Sequence, residues 1–210
     1  MGRGWFITFE GGEGTGKSTQ IDRLRRHLEK RRFAVLVSHE PGGTPLAEGI
    51  RGLLLDPAHS PDALTELFLL EASRRVHVQE VIRPALARGE VVLCDRFVDS
   101  SLVYQGWVGG VDEELVAELN RAATDGVTPD LTIVFDLAHD EGRRRARSRN
   151  RANGGASRID DNPPEFHRRV REGFLELARR EPGRVRVVDA AGEPGEVFHR
   201  LLAELPEELR

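Results

Sequence analysis

The feature that most constrains this chain is a glycine-rich segment near its amino terminus. Residues 11–18 read Gly-Gly-Glu-Gly-Thr-Gly-Lys-Ser, which matches the phosphate-binding loop G-x-x-x-x-G-K-[ST] at every fixed position. An apolar run at 5–10 precedes this loop. The segment after it has helical spacing, with apolar residues at Ile21, Leu24 and Leu28. Because this strand–loop–helix context is the one in which the motif binds phosphates, the sequence predicts a nucleoside triphosphate site.

The residue types in the loop indicate what each would do with a bound triphosphate. Glycines let backbone N–H groups face a phosphate, and the N-terminus of the following helix adds partial positive charge. Lys17 is predicted to reach the β- and γ-phosphates, and the Ser18 hydroxyl to ligate Mg²⁺. Of the 31 basic residues in the chain, only Lys17 and Lys30 are lysines. A lysine is favoured here because its compact ammonium enters a loop that a guanidinium would overfill.

Composition narrows the class of protein. With 210 residues, 39% hydrophobic and 31% charged, we expect one α/β domain over residues 1–210 with a substantial core. The net charge of −4 provides no general attraction to nucleic acid or membrane, so we expect neither as a partner. The only cysteine is Cys94, which excludes an internal disulfide and fits a reducing compartment. No apolar leader or run of 18 apolar residues occurs, and we therefore expect a cytoplasmic protein.

The order of apolar and periodic segments predicts a parallel sheet covered by helices on both faces. Short apolar runs lie at 5–10, 33–38, 90–94, 131–137 and 184–189, and helical periodicity separates them. We expect a long helix over 61–88 that Pro84 interrupts, and a second helix over 163–180. Residues 150–162 lack periodicity and are predicted to form a mobile loop.

A charged pair follows the third predicted strand. Asp95 ends that strand, where a carboxylate can orient Mg²⁺ or its waters near the phosphate loop. Arg96 comes next, at the edge of the sheet where open α/β folds bind ligands, and its guanidinium could hold a second phosphate. The alternative is an ordinary ion pair at the surface.

Arginines are concentrated in one segment of this acidic chain. They are Arg143, Arg144, Arg145, Arg147, Arg149 and Arg151, with Arg158 beyond. A solvated helix face or a nucleic-acid patch would account for them, but the stretch has no aromatic residue for base stacking. We predict a lid over about 143–161 whose arginines neutralise charge on a transferring phosphoryl group.

Taken together, these segments resemble those of bacterial thymidylate kinases, over nearly the whole chain. The shared elements are Phe9-Glu10-Gly11 before the loop, Glu40-Pro41-Gly42-Gly43-Thr44, Glu66 to Arg74 with Pro84-Ala85-Leu86, Asp95-Arg96-Phe97 with Ser100, Tyr104-Gln105-Gly106, the arginine-rich segment and Val187-Val188-Asp189-Ala190. The Asp-Arg-aromatic element followed by Ser and Tyr-Gln distinguishes this family among nucleoside monophosphate kinases.

The resemblance implies a fold, a reaction and partners. The fold is a five-stranded parallel sheet with helices on both faces and a mobile lid, and the protein would be a homodimer. The reaction is transfer of the ATP γ-phosphoryl group to dTMP, with Mg²⁺, giving dTDP and ADP for dTTP synthesis. The implied ATP-binding residues are Gly11, Gly12, Glu13, Gly14, Thr15, Gly16, Lys17, Ser18 and Thr19, and the implied metal ligands are Ser18 and Asp95.

The resemblance also implies a set of dTMP-binding residues: Glu13, Glu40, Pro41, Leu70, Arg74, Arg96, Ser100, Ser101, Tyr104 and Gln105. Within that set Arg96 would hold the acceptor 5′-phosphate, while Arg74 and Ser101 would read the thymine edge. Tyr104 would pack where a 2′-hydroxyl would sit. Catalysis would rest on Lys17, Arg96 and a lid arginine, Arg149 or Arg151, because the phosphate loop itself contains no arginine.

Three positions depart from the family pattern. His39 stands where an arginine usually precedes Glu-Pro, Leu70 stands where a phenylalanine stacks on thymine, and residues 157–160 read Ser-Arg-Ile-Asp rather than Asp-Arg-Ile-Glu. His39 and Leu70 leave open a monophosphate kinase with another base preference. A nucleotide-dependent switch is a second alternative, although the chain lacks the [NT]-K-x-D segment by which GTPases read guanine.

Overall fold

A single parallel sheet forms the centre of the molecule. The computed structural model describes residues 4–138, 140–145 and 162–210. The strands are β1 (Trp5–Glu10), β2 (Val35–His39), β3 (Val91–Asp95), β4 (Leu131–Asp136) and β5 (Val185–Asp189), in the spatial order β2-β3-β1-β4-β5. All four pairings are parallel. The α/β fold predicted from the apolar runs is confirmed, and each strand begins and ends within two residues of its run.

Helices cover both faces of the sheet. Those that lie wholly within the described residues are α1 (Lys17–Lys30), α2 (Pro45–Leu55), α3 (Ala63–His77), α4 (Arg83–Ala87), α5 (Val98–Ser101), α6 (Glu113–Thr124), α7 (Pro164–Arg180) and α8 (Pro194–Glu204). Alternate residues of β1 point to opposite faces, as the pleat requires. Ile7 and Phe9 therefore share a buried core with α1 and α8, whereas Phe6 packs with the residues that follow α3.

The helical region predicted over 61–88 is interrupted earlier than expected. Its second half consists of π-helical turns at Val78–Ile82 followed by α4, and Pro84 is the second residue of α4. Proline lacks an N–H, and its ring displaces the carbonyl four residues before it, so the hydrogen-bond ladder adjusts one turn upstream. The helix predicted over 163–180 is confirmed as α7. On the apolar face that its helical spacing predicts, Val170, Phe174 and Leu177 are buried and Phe166 is half-buried.

This topology brings several loops to one edge. The carboxyl ends of parallel strands share an edge of the sheet, and ligands of open α/β folds bind there. The central strand β1 leads into the phosphate loop, and Phe9 on β1 lies opposite Asp95 on β3. Cys94, immediately before Asp95, is buried in β3.

None of the helices in the described part of the chain combines the length and apolar character that crossing a bilayer requires.

Candidate functional site

The phosphate loop between β1 and α1 has the backbone conformation that its glycines permit. Gly11 has φ 126°, and a Cβ there would lie 2.5 Å from the Phe135 carbonyl oxygen. Gly16 has φ 87° and immediately precedes the first residue of α1. Having no side chain, Gly16 leaves the first N–H groups of α1 uncapped, and such groups bind anions.

Lys17 is held against the loop by the loop's own backbone. Its Nζ donates to the carbonyls of Gly11 at 3.2 Å and Gly12 at 3.1 Å, and the side chain is buried. Burial, followed by the charge of Arg96, lowers the pKa of the Lys17 ammonium, while Asp95 and nearby glutamates oppose that change. A bound polyphosphate would add negative charge beside this ammonium and so favour its charged form.

Asp95 has an oxygen suited to a cation. Its Oδ1 is buried and has no hydrogen-bond partner within the described residues. Ser18, the other predicted metal ligand, is exposed in the first turn of α1. In ranges 4–138, 140–145 and 162–210, no group of three or more carboxylates, imidazoles or thiols is arranged to hold a metal ion on its own. Mg²⁺ needs no such cluster, because it is commonly held by one or two protein oxygens together with substrate phosphates.

Arg96 connects the phosphate loop to the helices beyond β3. Its backbone has φ 69°, a left-handed conformation that costs a residue with a side chain about 1–2 kcal/mol. Its Nη2 donates to Glu13 Oε1 of the phosphate loop at 2.8 Å, and its Nη1 donates to Ser100 Oγ at 3.2 Å. The guanidinium carbon lies 5.2 Å from the centre of the Tyr104 ring. Arg96 is thus fixed on three sides at the edge of an open cleft.

That cleft has a volume of about 430 Å³ and runs between α3, α5 and the loop after β2. We call it the α3–α5 cleft; it is lined by Glu40, Pro41, Leu70, Arg74, Arg96, Phe97, Ser100, Ser101, Tyr104 and Gln105. The structure therefore brings together every residue predicted to bind dTMP except Glu13. Glu13 lies at its rim, bonded to Arg96.

Arg74 is the largest fully buried side chain of the molecule's described residues, and it is surrounded by acceptors. Its Nε donates to Glu40 at 2.8 Å, and one terminal nitrogen donates to Glu71 and to Asn120. The other terminal nitrogen donates to the Phe97 carbonyl at 3.2 Å and to Ser101 Oγ at 3.0 Å. A guanidinium has five N–H groups, so all of them have protein acceptors in this conformation.

Tyr104 forms an aromatic wall of the cleft. Its ring centre lies 6.0 Å from that of Phe166 and 6.1 Å from that of Phe174, both on α7. Burial raises the pKa of the Tyr104 phenol to about 12, with Arg96 opposing. The neighbouring Gln105 donates from Nε2 to Glu66 at 2.9 Å. These contacts hold the ring at the cleft beside Arg96.

A second cleft lies on the other side of the phosphate loop. It is lined by Gly14, Thr15, Gly16, Ser18, Thr19, Gln20, Arg145, Ala190, Gly192, Glu193, Pro194 and Val197. Arg145 donates to the Ala190 carbonyl at 3.3 Å and to Glu141 at 2.6 Å. The predicted lid lies outside the described residues apart from 143–145, and so do its two catalytic candidates, Arg149 and Arg151.

The family is decided by comparison with known proteins. The family model described as thymidylate kinase matches residues 9–201. This chain belongs to the thymidylate kinase family. A thymidylate kinase of Desulfosudis oleivorans is 50% identical over 95% of each chain, and one of Symbiobacterium thermophilum is 48% identical over 98% of this chain and 96% of its own. The crystal structure of thymidylate kinase from Ehrlichia chaffeensis covers 98% of this chain and 100% of its own, at 34% identity and a TM-score of 0.77.

The two departures from the thymidylate kinase pattern in the described residues lie in different surroundings. Leu70 lines the α3–α5 cleft, where it can contact a ligand. His39 instead pairs through Nε2 with Glu48 Oε1 at 2.9 Å, and Glu48 also accepts from the Gly43 amide. His39 is not among the residues that line the cleft. Only Leu70 is therefore placed to change how a base is held.

Sequence reasoning missed several residues that support the site. Glu10 is a buried carboxylate beside Arg96, and Asp99 is a buried carboxylate within α5. Glu71 is a second carboxylate on Arg74, and Phe166 packs on Tyr104. The sequence did contain a signal for Glu10, because it ends an otherwise apolar strand. A glutamate buried there needs a partner, so a polar partner for Glu10 could have been predicted. The partners themselves are distant in sequence and become visible only in the fold.

Proposed function

We propose that this chain transfers the γ-phosphoryl group of ATP to dTMP, with dTMP in the α3–α5 cleft and ATP on the phosphate loop. The observation that supports this assignment is the Glu13–Arg96 pair at 2.8 Å, where the phosphate loop and the cleft meet. Because this contact joins the phosphate loop to Arg96, a phosphate held by Arg96 would lie next to one held by the loop, which is the geometry that phosphoryl transfer needs.

On the donor side, residues 11–19 would bind the ATP phosphates through backbone N–H groups, with Lys17 on the β- and γ-phosphates. The second cleft leads away from the loop towards Arg145 and Gly192, and it would receive the nucleoside. Ser18 and Asp95 would hold Mg²⁺, and the unpartnered Oδ1 of Asp95 is consistent with that role. When bound, the cation would offset charge on the phosphates.

On the acceptor side, the phosphate of dTMP would displace part of the contact between Arg96 and Glu13. That phosphate is already an anion, so its oxygen attacks without a general base. The barrier is dominated by repulsion between two anions, and Lys17 and Arg96 reduce it because both are positive and already in place. Arg149 or Arg151 would add positive charge from the lid and help exclude water.

Recognition of the base and sugar would use the remaining walls of the cleft. A thymine oxygen can receive an N–H from Arg74 only if an existing bond is exchanged, and the 3.2 Å bond to the Phe97 carbonyl is the longest of the five. Ser101 and Gln105 would complete the hydrogen bonds to the base edge. Tyr104 would fill the space that a 2′-hydroxyl needs and so favour deoxyribose.

The wider assignments are also proposals. We propose one domain over residues 1–210 with a lid over about 143–161, and a homodimer. In support of the dimer, α2 and α3 carry exposed apolar residues: Leu46, Leu53, Leu64 and Phe68. We further propose a cytoplasmic location, in keeping with use of ATP and with the unpaired thiol of Cys94.

The test is ADP formation from ATP with dTMP, dUMP, dGMP, dCMP or AMP, and without an acceptor. We expect rapid ADP release only with a monophosphate, and the highest kcat/KM with dTMP. Lys17→Ala should abolish transfer with an unchanged circular dichroism spectrum. The matched control is Lys30→Ala, which alters the other lysine, exposed at the far end of α1. Equal ADP release without an acceptor would indicate a switch protein, and a better acceptor than dTMP would indicate another base preference.

A further inference from the structure

Glu10 is a fully buried carboxylate that no part of the proposed reaction uses. It is the last residue of β1, directly before the phosphate loop. Its Oε1 accepts from the Phe97 amide at 2.8 Å, and its Oε2 accepts from Ser100 Oγ at 2.6 Å. Burying a carboxylate is costly, and these two bonds to the segment after β3 are what offset that cost.

The same bonds lead to Arg96. Ser100 Oγ, which donates to Glu10, accepts from Arg96 Nη1 at 3.2 Å, and Arg96 Nη1 lies 3.9 Å from Glu10 Oε2. The amide that donates to Glu10 belongs to Phe97, the residue after Arg96. The Arg96 amide in turn donates to the Phe9 carbonyl at 3.0 Å. Glu10 therefore fixes both the guanidinium of Arg96 and the backbone just after its left-handed residue.

We propose that Glu10 is a positioning residue that aims the Arg96 guanidinium at the acceptor phosphate through Ser100 and the Phe97 amide. This inference rests on the proposed function, in which Arg96 holds that phosphate. A planar guanidinium binds a phosphate well only when its direction is set in advance, so loosening it weakens the phosphate contact and leaves contacts to base and sugar in place.

The charges around Glu10 agree with this role. Burial raises the pKa of Glu10 to about 7, Arg96 opposes the rise and Asp99 adds to it. Lys17, Tyr104 and Cys94 are the other titratable groups whose pKa responds to the charge of Glu10. Near pH 7 the carboxyl consequently carries only part of a negative charge, which limits its repulsion of a phosphate on Arg96.

A purely structural tie between β1 and α5 is the competing explanation, and ligand selectivity separates the two. We would measure Kd by calorimetry for dTMP and for thymidine, which lacks the phosphate. In the unmodified protein dTMP should bind far more tightly than thymidine. Glu10→Gln should reduce that preference by about ten- to a hundredfold, as expected for loss of a charge-assisted contact, with thymidine affinity nearly unchanged.

The matched control is Asp130→Asn. Asp130 also accepts from a backbone amide of β1, that of Phe6 at 2.9 Å, but at the opposite end of the strand from Glu10. Asp130→Asn should keep the full preference for dTMP. If Glu10→Gln fails to fold, Glu10→Asp makes the same test, because its shorter side chain cannot keep both the bond from the Phe97 amide and the bond from Ser100 Oγ, and it should reduce the preference as well.

The outcomes are distinguishable. A full preference for dTMP in folded Glu10→Gln, or in Glu10→Asp where that variant is the test, would overturn the role of Glu10 and leave the proposed function standing. Equal affinity for dTMP and thymidine in the unmodified protein would overturn the assignment of Arg96 itself, and the role of Glu10 with it. A parallel loss of affinity for both ligands in Glu10→Gln would show a structural tie only.

Discussion

Leu70 lines the α3–α5 cleft and is the position in that cleft where this chain departs from the family pattern, with leucine in place of phenylalanine. It projects from α3 one turn before Arg74 and lines the cleft. Leucine provides apolar contact with a base but not the stacking of an aromatic ring, which is worth about 0.5–1.5 kcal/mol beyond buried area. The thymine contact is consequently expected to be weaker than a phenylalanine would make it.

Leu70→Phe should therefore tighten dTMP binding by roughly two- to tenfold, since 1.4 kcal/mol corresponds to a factor of ten. Calorimetric Kd values for the variant and the unmodified protein provide the check. Val187→Phe, at an exposed position on β5, is the control and should leave Kd unchanged. An unchanged Kd in Leu70→Phe would mean that residue 70 does not face the base.

Glu10 predicts a pH dependence of stability. Its pKa in the fold is raised to about 7 from an ordinary value of 4.5, chiefly by burial. The folded protein thus binds this proton more tightly than the unfolded chain does. The stabilisation is complete below about pH 4.5 and is lost as the pH rises through about 7.

This loss of stability can be measured by comparing the melting temperatures of the unmodified protein and Glu10→Gln between pH 4.5 and 8. We expect the unmodified protein to lose stability relative to the variant as the pH rises to about 7, and the difference to level off above that. A constant difference across the range would contradict the shifted titration.

Single residues differ in how far sequence alone could assign them. A phosphate-binding role could be predicted for Lys17 because it belongs to the loop motif, and for Arg96 because it directly follows a predicted strand. The hydrogen bonds of Arg74 could not be predicted, because its acceptors Glu40 and Asn120 lie in segments distant in sequence. A buried network depends on tertiary packing, which no local pattern specifies.

At the scale of elements, α5 is held in place by two buried carboxylates. It begins two residues after Arg96, includes Ser100 and Ser101, and continues directly into the π-helical segment Leu102–Val108. Its Asp99 is buried and receives two bonds from Arg184, at 2.7 and 2.8 Å, and one from Thr132 on β4 at 2.9 Å. Glu10 ties α5 to β1, and Asp99 ties it to Thr132 on β4 and to Arg184, so the helix is anchored to two strands and to the residue that precedes β5.

Asp99→Asn should lower the melting temperature by about 4–16 °C. Removing the charge leaves Arg184 only part of its pairing, at a cost of about 2–4 kcal/mol, and each kcal/mol shifts a chain of this size by about 2–4 °C. Asp22→Asn, in an exposed ion pair with Arg25, is the control and should shift it by less than about 2 °C. Equal small shifts in both variants would show that Asp99 does not anchor α5.

The elements themselves were largely predictable from periodicity. The five strands and α7 follow directly from apolar runs and helical spacing. The π-helical turns at Val78–Ile82 did not, because Pro84 displaces the ladder one turn upstream of its own position and the distortion is resolved by packing. The second π-helical segment, Leu102–Val108, carries Tyr104 and has no proline to signal it.

At the scale of the whole molecule, one surface is unusually apolar. Leu46 is 62% exposed and Phe68 54% exposed, and with Leu53 and Leu64 they lie on α2 and α3, which pack against each other. Exposed apolar residues clustered in this way mark interaction surfaces in soluble proteins. Because α3 also carries Leu70 and Arg74, a partner on this surface would support the wall of the α3–α5 cleft.

Phe68→Glu should convert the proposed homodimer to monomers, because it places a charge in an apolar contact. Sedimentation of the variant and the unmodified protein at micromolar concentration provides the measurement. Val187→Glu, at an exposed position on β5 across the sheet, should remain dimeric. A Phe68→Glu variant that sediments as a dimer would exclude this surface as the interface.

The most direct test of the central claim is a crystal structure with dTMP and ADP bound. We predict dTMP in the α3–α5 cleft, with thymine beside Leu70 and Arg74, the 5′-phosphate on Arg96, and the ADP phosphates on the loop around Lys17. Clear density for dTMP outside that cleft, or a 5′-phosphate that does not contact Arg96, would contradict the account.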